Sequence, residues 1–222
     1  MKITFFEIQG WEKPMIKKAL KNHTLKFIKE PLTQENIKLA VDSDIISMFI
    51  YTHLDHKILS QLKKLKFIAT RSTGFDHIDI KYCKTKKIKV FNVPSYGENT
   101  VAEHTFALIL ALSRNVHRSY LRTLQRDYSI EGLKGFDLKG KTLGVIGAGR
   151  IGKHVIRIAR GFEMNVLVSD SHKDDFLAEQ LNFKYTNLTE LYKKSDIITL
   201  HVPFTKENYH MINKDTLKLM KK

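Results

Sequence analysis

The chain has very few of the features that mark disulfide-rich, metal-binding or membrane proteins. Its single cysteine, Cys83, excludes an intrachain disulfide and is typical of a protein in the reducing cytoplasm. No apolar run is long enough to span a membrane, and the N-terminal residues Lys2 to Glu7 are predicted as a strand rather than a signal peptide. No spacing of cysteine and histidine resembles a metal site. We therefore expect a globular cytoplasmic protein with no membrane partner and no bound metal.

Acidic residues are scarce relative to basic ones, with 23 Asp and Glu against 38 Lys and Arg and a net charge of +15. Such an excess can mark a protein that binds nucleic acid. Here it is spread evenly, with +8 over residues 1–100 and +7 over residues 101–222. This distribution favours a lysine-rich source over a binding surface, so no nucleic-acid partner is predicted.

Strand-like and helix-like segments alternate along the whole chain. Such alternation predicts right-handed βαβ units, and therefore an α/β protein whose parallel sheets carry helices on both faces. We expect two doubly wound domains, a flavodoxin-like one over residues 1–99 and a Rossmann-type one over residues 100–222. Strands are predicted at 3–8, 25–28, 45–50, 67–70, 89–93, 142–146, 166–168, 183–185 and 196–200. Helices are predicted at 14–20, 33–40, 56–65, 78–84, 100–126, 174–181, 188–194 and 214–220.

The most informative stretch is a strand, a glycine turn, a helix and a second strand between residues 141 and 170. The glycines of the turn are Gly147, Gly149 and Gly152. The first allows a tight turn, the second lets a pyrophosphate approach the backbone, and the third lets the helix pack closely on the strand. The N–H groups and the positive dipole at the start of the helix then face the phosphates. This order of elements predicts a dinucleotide site.

An acidic residue ends the second strand of this motif. Asp170 follows Gly152 by eighteen positions, the spacing at which a carboxylate accepts hydrogen bonds from the adenosine ribose. A carboxylate there would repel a 2′-phosphate, so NAD is favoured over NADP. His172 and Lys173 lie nearby in the sequence and weaken that preference.

A long helical pattern runs from Thr100 to about Arg126. Its first half is apolar on nearly all sides and is therefore expected to be buried. Its second half carries an arginine at every fourth position, which predicts one basic stripe on a solvated or intersubunit face. The arginines of this stripe are Arg114, Arg118, Arg122 and Arg126. A helix buried on several sides is a natural dimer contact, and we expect a homodimer.

Two polar loops follow predicted strands of the first domain, at the edge where open α/β sheets bind ligands. In residues 71–77, Ser72, Thr73 and Gly74 can present backbone N–H groups to an anion, and Arg71 adds a cation. Near the end of residues 94–100 stands Asn99, a good N-cap for the long helix. On the residues alone, the alternative that both loops are ordinary turns is favoured.

Four motifs together resemble the D-isomer-specific 2-hydroxyacid dehydrogenases, and within them the D-lactate dehydrogenase-like branch. The resemblance extends over the whole chain, with the motifs in the expected order and spacing. The motifs are residues 69–79 (ATRSTGFDHID), residues 92–104 (Asn92 to Pro94 with Tyr96 to His104), the glycine turn 147–152, and residues 201–205 with 210–213.

The resemblance implies two α/β domains that hold a 2-hydroxy or 2-oxo acid and the nicotinamide of NAD between them. It places Thr73 and Gly74 on the substrate carboxylate through their backbone N–H groups, with Tyr96 lining the same pocket. It places Arg150 and Ile151 on the pyrophosphate and Asp170 on the ribose. Along the rest of the cofactor it places Val202, Pro203 and Asn208. On this basis, the interpretation that the two polar loops bind a ligand is favoured over the alternative that they are ordinary turns.

The resemblance also implies groups that the chain does not match. In the family an arginine holds the substrate, and a glutamate and a histidine act as an acid–base pair. We expect all three beyond Lys222, which makes the chain the front two-thirds of a dehydrogenase with a truncated NAD-binding domain. An inactive module that binds NAD(H) and acts through a partner is the alternative, and a basic nucleic-acid-binding protein is a third hypothesis.

Overall fold

The computed structural model describes residues 1–221, and the chain packs as two units, Met1–Tyr96 and Gly97 onward. The division lies three residues ahead of the one expected from the sequence, between residues 96 and 97. None of the helices in residues 1–221 is long and apolar enough to cross a bilayer.

The first unit is a five-stranded parallel sheet in the order β2-β1-β3-β4-β5, the predicted flavodoxin-like winding. Its strands are β1 (Lys2–Phe5), β2 (Thr24–Phe27), β3 (Ile45–Met48), β4 (Phe67–Thr70) and β5 (Lys89–Phe91). Its helices are α1 (Glu12–Ala19), α2 (His56–Leu59) and α3 (Ile80–Thr85), with a 3-10 turn at Ile37–Leu39. The helices predicted at 33–40 and 56–65 are thus much shorter than expected.

Two apolar clusters lie in this unit, and the two-residue period of the strands separates their members. Ile3 and Phe5 of β1 pack in one cluster with Ile16 of α1. Ile46 of β3 and Ile68 of β4 are fully buried in the other. The short strands are therefore covered by side chains on both faces, as a parallel sheet requires.

The second unit is a four-stranded parallel sheet in the order β8-β7-β6-β9, half of a Rossmann winding with one strand added. Its strands are β6 (Thr142–Ile146), β7 (Asn165–Ser169), β8 (Lys184–Tyr185) and β9 (Ile197–Leu200). Its helices are α4 (Glu98–Ser113), α5 (Val116–Leu124), α6 (Arg150–Gly161), α7 (Asp175–Gln180), α8 (Leu188–Lys194) and α9 (Lys214–Leu219). The chain order reverses between β6 and β9, which is where a doubly wound sheet opens its ligand crevice.

The predicted long helix is wrong, because the chain breaks it in two at Asn115. This residue adopts the left-handed conformation, with φ +53°, between α4 and α5. Asparagine takes that conformation more readily than other residues except glycine. Its side-chain amide donates to the carbonyls of Leu133 and Lys134 at 3.3 Å, so the break is tied to the segment that follows α5.

Three of the four arginines predicted to form one basic stripe, Arg114, Arg118 and Arg122, instead bind the segment after α5. Arg114 pairs with Asp137 at 3.0 Å, and Arg118 donates to the carbonyl of Gly132. Arg122 donates to the carbonyls of Ser129 at 3.2 Å and Glu131 at 2.5 Å. Two of these guanidinium groups, those of Arg118 and Arg122, hold the chain's own backbone, and that of Arg114 holds a carboxylate of the same segment.

The first half of the predicted helix is only partly buried within the chain. α4 buries Ala102, Phe106 and Ile109, and Phe106 stacks on Phe162 with ring centroids 5.5 Å apart. Leu112, by contrast, is 70% exposed. The expectation that this half is buried on all sides is wrong for a single chain.

Candidate functional site

The glycine turn after β6 leads directly into α6. Gly147 has φ +95°, and a Cβ there would lie 2.6 Å from the carbonyl oxygen of His201. A Cβ on Gly152 would collide with the carbonyl oxygen of Gly147, whereas a Cβ on Gly149 would meet nothing within 4 Å. Two glycines therefore close the turn tightly, and the third leaves open space in front of the backbone.

The start of α6 faces this open space without a side-chain cap. Gly149 is the N-cap residue, and Arg150 and Ile151 begin the first turn. Val155 and Ile156 are fully buried in the core of the unit, which fixes the helix against the sheet. An uncapped helix start, with its positive dipole end, is suited to receive an anion such as a phosphate.

Asp170, directly after β7, lies against the same turn. Its Oδ2 accepts the N–H of Ala148 at 2.7 Å, and its Oδ1 accepts the N–H of His172 at 2.8 Å. Each oxygen of an ionised carboxylate can accept about two hydrogen bonds. The carboxylate is therefore held in a defined orientation while each oxygen keeps a further acceptor position.

The segment after β9 completes this edge of the second sheet. The His201 N–H donates to the carbonyl of Ile146 at 2.7 Å, and Val202 lies beside the place that a Cβ on Gly147 would take. Asn208 closes the segment on itself, donating to the carbonyl of Pro203 at 2.6 Å. The structure thus brings Val202 to the glycine turn and gives the Asn208 amide a local structural contact.

In the first unit, the loop after β4 has its carbonyl groups tied back. Ser72 O accepts the N–H of Val93 at 3.0 Å, Thr73 O accepts the Asn92 amide at 2.8 Å, and Gly74 O accepts the Ser72 hydroxyl at 2.7 Å. The N–H groups of Thr73 and Gly74 have no hydrogen-bond partner within residues 1–221, and both residues are exposed. Two neighbouring unpaired N–H groups on a fixed loop are suited to receive an anion.

Arg71 does not supply the cation expected for this loop. Its guanidinium is turned back into the unit, where it donates to the carbonyls of Phe6 at 3.0 Å and Glu7 at 2.9 Å. It also donates to the Ser47 hydroxyl at 3.1 Å and pairs with Glu12 at 3.3 Å. Burial lowers its pKa from the ordinary value. The guanidinium is therefore committed to holding the loop in place.

The second polar loop differs from its prediction at the helix start. α4 begins at Glu98 with Gly97 as N-cap, so Asn99 lies inside the first turn and is not the cap. Its side chain instead reaches Glu103 at 3.4 Å. Tyr96 is 62% exposed at the end of the unit.

A chain of polar side chains that sequence reasoning missed lies beneath the loop after β4. The Thr70 hydroxyl is 2.5 Å from the Ser72 hydroxyl and 3.3 Å from His77 Nε2. All three residues are buried, and burial is the main cause that lowers the pKa of His77. Through the Thr70 hydroxyl, the imidazole helps to orient the Ser72 hydroxyl that donates to the Gly74 carbonyl. Only the tertiary fold brings Thr70 and His77 together, although both stand in the 69–79 motif.

The remaining chemistry-bearing side chains are dispersed. Among residues 1–221, no group of three or more His, Cys, Asp or Glu side chains is arranged to hold a metal ion. Each unit therefore has its own candidate binding feature: the glycine turn with Asp170 in the second unit, and the Thr73–Gly74 loop in the first.

Comparison with known proteins shows the family of the chain. The family model described as "D-isomer specific 2-hydroxyacid dehydrogenase, NAD binding domain" matches residues 106–222. The chain belongs to the D-isomer-specific 2-hydroxyacid dehydrogenase family. Members of this family are oxidoreductases, and NAD is the cofactor of the domain that matches.

Relatives and solved structures of the family agree with the sequence resemblance. A 2-hydroxyacid dehydrogenase homolog of Haemophilus influenzae is 39% identical, and D-lactate dehydrogenase of Escherichia coli is 36% identical. Each covers 100% of this chain, which in turn spans 68% of their length. The D-lactate dehydrogenase from Aquifex aeolicus, complexed with NAD and lactic acid, is 41% identical with a TM-score of 0.92, over 99% of this chain and 66% of that one.

The dehydrogenase chain has the local geometry that NAD requires. The clash of a Cβ at Gly147 or Gly152, and the open space at Gly149, are the three properties that a dinucleotide turn needs. The fixed carboxylate of Asp170 stands beside that turn. NAD, when bound, supplies the group that accepts or donates a hydride.

Proposed function

We propose that this chain forms the NAD-binding and substrate-carboxylate-binding parts of a dehydrogenase that interconverts a D-2-hydroxy acid and its 2-oxo acid, of the D-lactate and pyruvate type. The observation that carries the proposal is the pair of unpaired N–H groups at Thr73 and Gly74, whose neighbouring carbonyls are all engaged. A backbone that offers two donors and no acceptor favours a carboxylate over a neutral ligand.

On the cofactor side, we assign the pyrophosphate to the backbone of the turn and the first turn of α6. The residues of this contact are Gly147, Gly149, Arg150, Ile151 and Gly152. Asp170 accepts the ribose hydroxyls through the free acceptor positions of its oxygens, and its charge favours NAD over NADP. Val202, Pro203 and Asn208 line the cofactor further along, with Asn208 acting through the fold of its own segment.

On the substrate side, Thr73 and Gly74 hold the carboxylate and Tyr96 lines the pocket that receives the rest of the acid. The relatives support an acid of this class, since one is named D-lactate dehydrogenase and another an aromatic 2-oxoacid reductase, 37% identical. The side chain of the preferred acid depends on the pocket around Tyr96, so both small and aromatic 2-oxo acids belong in the test.

We also propose that the family's catalytic arginine, glutamate and histidine have no match among these residues. Hydride transfer from a 2-hydroxy acid needs a cation for the carboxylate and a base for the hydroxyl proton. We therefore propose that these 222 residues bind NADH without turning over a 2-oxo acid at the rate of a complete enzyme. The second candidate function, an inactive NAD(H)-binding module, rests on the same proposed absence of the catalytic arginine, glutamate and histidine.

The test is NADH binding to the purified chain by fluorescence titration, followed by NADH oxidation with pyruvate and with phenylpyruvate. Saturable binding with turnover below about 1% of a complete family member supports the proposal, because loss of a general base alone costs about 10²–10⁴ in rate. Turnover at the rate of a complete enzyme would show that a residue of this chain does the acid–base work. Absence of NADH binding would refute the assignment of the glycine turn.

We also propose a homodimer. Large apolar side chains on α4, α5 and the following segment are exposed, more than a monomer of this size usually leaves uncovered. They are Leu108, Leu112, Val116, Tyr120, Leu121, Leu124, Tyr128 and Ile130. Light scattering at micromolar concentration should give twice the 25.8 kDa of one chain, and Leu112→Lys should lower that mass. A wild-type mass of one chain would refute the dimer.

The cellular setting that we propose is the cytoplasm. Cys83 is a buried free thiol, and burial raises its pKa to about 11. Such a thiol is inert toward oxidation and exchange, which fits a chain without disulfides in a reducing compartment.

A further inference from the structure

Glu7, just after β1, is held in a conformation that a glutamate rarely adopts. Its φ is +56°, in the left-handed region, and only 7% of the residue is exposed. Its Oε2 accepts the N–H of Phe49 and the hydroxyl of Thr52, both at 2.8 Å, and its Oε1 accepts the N–H of Tyr51 at 2.6 Å. Backbone strain and a buried carboxylate each cost free energy, which these three bonds offset.

The Glu7 carboxylate thereby fixes the loop after β3. It binds the backbone on both sides of Ile50, and the Thr52 hydroxyl that donates to it also accepts the N–H of Leu32 at 3.0 Å. Three strand-end segments, those after β1, β2 and β3, therefore meet at the Thr52 hydroxyl, which donates to Glu7 and accepts from Leu32.

Arg71 extends this connection to the loop after β4. Its guanidinium donates to the carbonyl of Glu7 at 2.9 Å, while its own N–H donates to the carbonyl of Met48 at 2.8 Å. Arg71 is followed directly by Ser72, Thr73 and Gly74. A displacement of Glu7 would therefore move the residue next to the anion-binding loop.

The loops after β3 and β4 each present two backbone N–H groups, and the two loops differ in whether a carboxylate of the chain accepts them. The two strands are paired in register, with Met48 opposite Thr70, so their loops leave the same edge. The loop after β3 gives two N–H groups to a carboxylate of the chain itself, that of Glu7. The loop after β4 leaves the N–H groups of Thr73 and Gly74 without a partner in the described residues.

We propose that Glu7 is a positioning residue for the substrate loop. It does not touch the substrate: it fixes the loop after β3 through its side chain and Arg71 through its backbone carbonyl, so that the N–H groups of Thr73 and Gly74 stand ready for a carboxylate. This inference rests on the proposed function, which assigns the substrate carboxylate to those two groups.

The experiment compares the wild-type chain with Glu7→Gln, each labelled with ¹⁵N and saturated with NADH. Oxamate, an unreactive isostere of pyruvate, is titrated while the amide signals of Thr73 and Gly74 are followed. A glutamine keeps the size of the side chain but turns an NH₂ group toward one of the N–H donors. We expect the affinity for oxamate to fall by about tenfold or more, since small misplacements of binding groups have effects of this size. The affinity for NADH should not change.

Glu30→Gln is the matched control. Its side chain is exposed, and its backbone carbonyl, which accepts the Glu7 N–H at 3.2 Å, is kept. It should bind oxamate as the wild type does.

A second variant, Arg71→Lys, keeps the charge but has a single nitrogen, so it loses the separate contacts that Nη1 and Nε make with Ser47 and Glu12. It should weaken oxamate binding even if Glu7→Gln does not fold.

The outcomes separate this inference from the proposed function. If the wild type binds oxamate at Thr73 and Gly74 and a folded Glu7→Gln binds it equally well, the positioning role is refuted while the proposed function stands. If oxamate leaves the two signals unmoved in the wild type, the proposed function fails, and this inference fails with it. Faster hydrogen exchange at the Arg71 and Val93 amides in Glu7→Gln supports the inference that a displacement of Glu7 reaches the loop after β4. Unchanged exchange at these amides contradicts it.

Discussion

The backbone N–H of Ala148 donates to Oδ2 of Asp170 at 2.7 Å. The acid at the end of β7 is thus bound to the glycine turn at the end of β6, and its other oxygen is bound by His172. Neither bond is visible in the spacing of the motif, which indicates only that the acid is near. The carboxylate is oriented before any ribose arrives, so binding need not restrict its rotation.

Replacing Asp170 tests this arrangement. In Asp170→Asn the amide turns an NH₂ group toward the N–H of Ala148 or of His172, and the negative charge is lost. We expect the Kd for NADH to rise by about 10- to 100-fold, as for a lost charge-assisted pair of hydrogen bonds, and the preference over NADPH to shrink. The measurement is fluorescence titration with both nucleotides. Asp174→Asn, which keeps a good N-cap on α7, is the control and should bind NADH normally.

The glycines of the turn should separate into two classes. Gly147→Ala places a methyl group 2.6 Å from a carbonyl oxygen at φ +95°, and we expect it to cost about 2 kcal/mol or more of unfolding free energy. Gly149→Ala meets nothing within 4 Å and should leave stability nearly unchanged, yet weaken NADH by filling the phosphate space. Gly161→Ala, at the end of α6 with nothing within 4 Å, is the control for both assays. Equal stability of the first two variants would contradict this division.

Arg122 should hold the segment after α5 in place. Arg122→Lys loses the planar group that reaches the carbonyls of Ser129 and Glu131. We expect proteolysis between residues 127 and 137 to become about fivefold faster, equivalent to a local loss of about 1 kcal/mol, with little change in the global unfolding temperature. Arg126→Lys, whose side chain makes no hydrogen bond within residues 1–221, should be cut at the wild-type rate. An unchanged rate for Arg122→Lys would disprove the anchoring role.

Two histidines, the buried His77 and the partly buried His201, predict an acid-sensitive fold. Burial lowers the pKa of His201 and of His77 below the ordinary value of about 6.5. The unfolded chain therefore takes up protons at a higher pH than the folded one, so this contribution to stability is complete above about pH 6.5 and is lost as the pH falls through the lowered folded values. The unfolding temperature should decline below that pH, and His201→Gln should make the decline shallower. His23→Gln, at an exposed position, should leave the decline as steep as in the wild type. Equally steep declines in the His201→Gln and His23→Gln variants would contradict the assignment of the acid sensitivity to His201.

Elements with a strong local signal could be predicted to the residue. β4, β6 and α8 have the predicted bounds, because each is an apolar or capped run ended by clear polar or glycine signals. The 3-10 turn at Ile37–Leu39 was overpredicted as a helix, since propensity alone does not show how little of that segment packs. The break at Asn115 had a signal in the residue type, but the apolar pattern on both sides concealed it.

The candidate site was predictable in its backbone motifs and not in its side-chain orientations. The glycine turn and Asp170 follow from a periodic pattern and a spacing. The direction of Arg71 does not, because the carbonyls that attract it belong to Phe6 and Glu7, far away in sequence. The same holds for the contact of Thr70 with His77, which depends on how the loop folds back over the strand end.

The left-handed residue at Asn115 also determines how a displacement travels along this part of the chain. A continuous helix over residues 98–124 would be a rod of about 40 Å at 1.5 Å per residue, and any tilt at one end would reach the other. The break at Asn115 replaces it with two shorter helices. The Asn115 side-chain amide connects the break to the carbonyls of Leu133 and Lys134. A single cut in the segment after α5 would therefore release a hinge in the middle of an otherwise helical region.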